Sequence, residues 1–133
     1  MLKGLLNFQR INWWVLLSAF GLNFFVSAMS ALLGAYLAST PSSEVFYQQF
    51  GQPLMLLAIF VVCGLIGFII SRIADDVPVK HALLGGFGAA VPFVTMAVLS
   101  LNVMMLMLGI VALAGNVNGA ILGIPRRRSM PRD

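Results

Sequence analysis

The chain has 133 residues, of which 60% are hydrophobic and only 9% charged, and its formal net charge is +4. A soluble domain carries about 25% charged residues, so this composition excludes both an ordinary water-soluble fold and a disordered chain. One helical crossing of a bilayer takes about 20 apolar residues, which allows four or at most five crossings and leaves no separate soluble domain.

Residues 1–10 (MLKGLLNFQR) form a short basic lead. The apolar run from Ile11 to Ala38 reads as the first span. At 1.5 Å per residue it is about 42 Å long, more than the ~30 Å hydrocarbon core, so it must tilt or project from the membrane. It is also too long for the apolar region of a cleaved signal peptide, usually about 7–15 residues. Residues 39–52 (STPSSEVFYQQFGQ) make the only sizeable loop. One reading is a short amphipathic surface helix, capped by Ser42 or Ser43 and ended by Gly51, with Phe46 and Phe50 on one face. The other is a plain loop whose aromatics form an interfacial belt.

The second span runs from Pro53 to about Ile73, followed by the charged connection ADDVPVK. There Asp76 is placed to cap the third helix, with Pro78 in its first turn and Arg72 within reach of Asp75 and Asp76. The third span covers Val79–Ser100, where Pro92 is expected to kink the helix and release the Gly88 carbonyl. After a turn at Leu101–Asn102, the fourth span covers Val103–Ile124 and stops at Pro125, leaving a basic tail over 125–133. The tight turn makes the third and fourth spans an antiparallel hairpin. The expected fold class is thus an all-α integral membrane protein, one four-helix bundle over residues 1–133.

The eight Lys and Arg set its orientation. Lys3 and Arg10 lie in the lead, Arg72 and Lys80 flank the second connection, and Arg126, Arg127, Arg128 and Arg132 lie in the tail. In a four-span topology all fall on one side, which the positive-inside rule makes cytoplasmic. Both termini are therefore expected inside, in a bacterial inner membrane. Trp13 and Trp14 then mark the inner interface, and Phe46, Tyr47 and Phe50 the outer one. The same placement reads the positive charge as a topology signal and not as a nucleic-acid surface.

In lipid, helices associate through close packing and interhelical hydrogen bonds, so small residues mark where backbones approach. The fourth span carries Gly115, Gly119 and Gly123, a double GxxxG row widened by Ala112 and Ala120. The first span has Ser27, Ala31 and Ala35, with Ser30, Gly34 and Ala38 beside them. The third offers Gly85, Gly86 and Gly88, and the second Gly64 and Gly67. These faces read as internal packing or as a partner or oligomer interface. Internal packing is the simpler account for most of them, while the two readings weigh evenly for the Gly115–Gly123 row. Asn116 lies beside that row and can reach Asn23 if the helices tilt, whereas Asn118 points elsewhere. Such amides act as interhelical glue in lipid.

Reactive groups are scarce. No Asp, Glu, Lys, Arg or His lies in the central part of any span, which argues against proton-coupled transporters, pumps and voltage sensors. The membrane-embedded carboxylate of small multidrug exporters is missing from the first span, and the motifs of small fluoride channels are unmatched. The one cysteine, Cys63, cannot support two-cysteine disulfide chemistry. No metal-ligand cluster, phosphate loop or catalytic triad is present. His81 is the one histidine, and axial ligation of haem or chlorophyll through it is a remote alternative to having no cofactor. Arg126–Arg128 serve as a topology anchor or grip anionic lipid headgroups. The leading functional reading is a non-catalytic accessory or assembly subunit, with membrane lipids, other integral membrane subunits or its own copies as partners. The alternatives are a small homo-oligomeric channel or carrier, lined by Pro92, the span-three glycines and the Asn residues, and a pigment- or haem-binding subunit.

Overall fold

The computed structural model describes residues 7–74 and 76–125. Four helices fill it: α1 (Trp13–Ser39), α2 (Glu44–Ile73), α3 (Pro78–Ser100) and α4 (Val103–Gly123). Each is long and apolar enough to cross a membrane, and no strand occurs among the described residues.

Helix ends follow local chemistry. Asn12 caps α1, its side-chain oxygen accepting from the Trp14 and Val15 amides at 3.1 and 3.4 Å. That bond satisfies donors the first turn leaves orphaned, so α1 starts just inside the expected Ile11. Asn102 does the same for α4, accepting from the Met104 amide at 2.9 Å.

The loop between the first two spans departs from expectation. Glu44–Phe46 is α-helical, Tyr47–Gly51 forms a π-helical turn, and Gln52–Ile73 continues as α-helix. The segment is neither a separate surface helix nor a plain loop, because it runs unbroken into the second span. Gly51, expected as a C-terminal cap, has φ −60° and ψ −42° and stays helical. It is needed there as glycine, because a Cβ would lie 2.5 Å from Cδ2 of the Tyr47 ring. Gln48 donates to Glu44 at 3.1 Å and the Phe46 and Phe50 rings stand 5.3 Å apart, so side-chain pairs four residues apart support the extra turns.

The α2–α3 connection also differs. Asp76 does not cap α3. Among the described residues it accepts only from the adjacent Val77 amide at 3.1 Å, and Val77 itself occupies the cap position in the left-handed region at φ 41°. Asp76 faces Arg10 at 3.8 Å in place of Arg72. Both side chains are well exposed, so that pair adds little stability. Arg72 lies over the Phe68 ring, 5.1 Å from its centroid. Asp75, its other expected partner, lies outside the described residues. Pro78 takes the first turn of α3 as expected, and α3 continues through Pro92 without interruption.

Leu101 ends α3 in the left-handed region at φ 51°. A side chain is strained there and glycine is not. Leu101→Gly is therefore expected to raise stability by about 1 kcal/mol, read as a higher melting temperature of the purified chain in mild detergent. An unchanged or lower melting temperature would contradict the strain argument.

The α2–α4 contact is the most extensive, α1 packs chiefly on α3, and α3 and α4 form the hairpin. The backbones of α1 and α4 make little contact. The interior holds two apolar clusters, one around Ile59, Cys63, Phe93 and Leu108, the other around Ala19, Ile66, Ile70 and Ala120. Large apolar side chains such as Leu17, Phe25, Leu65, Leu99 and Leu122 point outward on every helix. A surface of that kind suits hydrocarbon and not water.

Candidate functional site: a glycine seam, an asparagine pair and a cavity

The glycine rows are used inside the bundle. A Cβ at Gly119 would overlap the Gly64 carbonyl oxygen, and one at Gly115 would lie 2.6 Å from the Phe60 carbonyl oxygen. At Gly123 it would overlap the Ser71 hydroxyl, and at Gly67 the Asn116 carbonyl oxygen. The α4 row and the α2 glycines thus form one seam in which two backbones touch. Ala112 is fully buried beside it. Gly85 and Gly88 serve α3 in the same way against α1. A Cβ at Gly85 would lie 2.5 Å from the Ala19 Cβ, and one at Gly88 would overlap the Phe20 carbonyl oxygen.

Asn23 and Asn116 meet at the centre, joining the two helices whose backbones do not. Asn23 Nδ2 donates to Asn116 Oδ1 at 3.2 Å, and Asn116 Nδ2 donates to Asn23 Oδ1 at 2.7 Å. Each amide gives its second proton to the carbonyl four residues back, Ala19 at 2.9 Å and Ala112 at 3.0 Å. Both side chains are fully buried, and the pair spends its donors on itself and on its own helices. Ser27, also buried, donates to the Phe24 carbonyl at 2.8 Å. Asn118 is exposed on the outer face of α4 and donates to the Ala114 carbonyl at 2.8 Å. The exposed Thr95 bonds the Val91 carbonyl of its own helix. These polar residues therefore do not converge on a common path.

His81 makes a contact between two helix ends. It is 1% exposed, with Nε2 2.9 Å from the Asn12 amide and Nδ1 3.1 Å from the Val77 carbonyl oxygen. A backbone amide can only donate and a carbonyl can only accept. Nε2 is therefore the acceptor and Nδ1 carries the proton, which makes the ring neutral in this arrangement. The ring clamps the start of α1 to the start of α3. With both nitrogens engaged, axial ligation of a haem or chlorophyll would have to break the Asn12 bond. Beside it, Lys80 donates to the Asn7 carbonyl and its ammonium lies 5.7 Å from the Phe8 ring centroid.

The small-residue face of α1 divides in two. Its first half packs against α3. Further along, Ala31 and Ala35 line a cavity of about 320 Å³. Tyr47 and Met55 of α2, Phe93 of α3 and Met104 of α4 complete its wall. Gly34 admits the Tyr47 side chain, since a Cβ there would lie 3.0 Å from the hydroxyl oxygen.

Among the described residues no group of three or more His, Cys, Asp or Glu is placed to hold a metal ion. Arg126, Arg127 and Arg128 lie outside the described residues. No family model, curated protein or solved structure matches the chain.

Proposed function

We propose that the chain is a non-catalytic accessory or assembly subunit of a larger membrane complex, seated in a bacterial inner membrane with both termini cytoplasmic. The observation that carries this reading is Asn118. Its amide stands on the lipid-facing side of α4, five residues inside the helix end, and no hydrogen bond reaches its Oδ1 among the described residues. An amide is costly in hydrocarbon and ordinarily turns toward another helix. The partner of this carbonyl is a polar group on a neighbouring subunit. The glycine rows are occupied internally, so the partner meets the larger side chains around Asn118, such as Ile121 and Leu122.

A photo-crosslinking phenylalanine derivative at position 118 tests this in native membranes. The expected result is a discrete adduct with another integral membrane protein, while the same residue at position 25, on an exposed part of α1, gives only lipid adducts. Lipid adducts alone at both positions would contradict the reading.

A further inference from the structure

We infer that the cavity lined by all four helices is a binding site for a lipid that inserts one hydrocarbon chain and carries an uncharged, hydrogen-bonding head. This inference does not depend on the accessory role, because it concerns a different face and a different ligand.

The starting observation is a cavity along the small-residue face of α1. Elsewhere in this bundle small residues bring two backbones together. Along Ala31, Ala35 and Ala38 they leave a gap, and α4 faces them with the flexible side chains of Met104 and Met105. Between Ser30 and Ala38 the lining follows about 12 Å of helix, a length that suits an extended hydrocarbon chain. The cavity volume of about 320 Å³ lies at the lower end of the range for small-molecule sites.

The lining is graded along this length. Its deep part, at Phe93 and Leu108, is apolar. Its mouth, where α1 ends and α3 turns into α4, carries Tyr47, Gln52 and Asn102. The Tyr47 hydroxyl and the Gln52 amide form no hydrogen bond among the described residues. Tyr47 is also held deliberately, since Gly51 in the π turn and Gly34 on α1 both make room for it. Among the described residues no charged one lines the cavity, so a charged head would be desolvated without a counter-ion. An uncharged head bearing hydroxyl or carbonyl groups satisfies the polar mouth, and one chain fills the apolar depth. Thioethers adapt their shape and suit such a chain.

The test uses the purified chain in mild detergent and monoolein, a single-chain lipid with a neutral diol head. Oleate and dioleoylphosphatidylglycerol are the charged comparisons. Native mass spectrometry across a lipid titration reads occupancy. The expected result is one retained monoolein per chain, with both charged lipids retained about tenfold more weakly. Ala35→Leu, which fills the gap, is expected to abolish retention. Tyr47→Phe, which removes only the hydroxyl, is expected to weaken it about tenfold while leaving the melting temperature unchanged. The inference is overturned if no one-to-one adduct forms, if the charged lipids bind as tightly, or if Tyr47→Phe retains monoolein as the wild type does. Should Ala35→Leu fail to fold, the Tyr47→Phe comparison decides alone.

Discussion

Gly119→Ala is expected to lower the stability of the purified chain by about 3 kcal/mol, seen as a marked drop in melting temperature in mild detergent. The added methyl group would coincide with the Gly64 carbonyl oxygen. That neighbour is backbone, so no side chain can rotate away and α4 must move off α2. The displacement would also disturb Gly67, which the Asn116 backbone covers, and Gly115, which lies against Phe60. Gly21→Ala is the matched comparison. Nothing lies within 4 Å of a Cβ at that position, so the change gains helix propensity alone and is expected to stabilise by about 0.5–1 kcal/mol. If Gly119→Ala melted like the wild type, the row would not be an internal seam.

The second large effect concerns the asparagine pair. Asn116→Leu keeps the volume and branching of the side chain but leaves one Asn23 amide proton and the Asn23 side-chain carbonyl without a partner in a fully buried site. Each single change, Asn116→Leu or Asn23→Leu, is expected to cost about 1–3 kcal/mol. The double variant leaves neither partner unpaired and is expected to lose about 1 kcal/mol less than the two singles together. Unfolding titrations of the four proteins give this coupling directly. Strict additivity would mean that the two side chains do not act on one another.

Much of this arrangement can be read from residue spacing. The α3–α4 hairpin follows from two apolar runs separated by Leu101–Asn102, and its turn falls there. The glycine faces are visible as four-residue repeats. Which helix each face meets is not, because that depends on how four helices are arranged around one another. The Asn23–Asn116 contact was accessible only as a geometric option, since it spans 93 positions of sequence. The Asn12–His81 bond spans 69 and leaves no periodic trace.

The errors have local causes. Gly51 and Pro53 together look like the end of one helix and the start of another. The Tyr47 ring lying over Gly51 turns that glycine into a packing position within a continuous helix. Asp76 has the right chemistry for a cap, but Val77 takes the left-handed conformation and moves the cap position past it. The cavity was unreadable for a related reason. Ala31 and Ala35 look like every other small-residue pair, and only the arrangement of the four helices shows that they line a cavity.

The accessory role is tested most directly by isolating the tagged chain from its native membrane in mild detergent and measuring the size and composition of what comes with it. The account predicts one larger membrane complex containing the chain in fixed stoichiometry. Recovery of the chain alone or as a homo-oligomer, with sustained selective solute flux after reconstitution into liposomes, would contradict it and make the chain a channel or carrier in its own right.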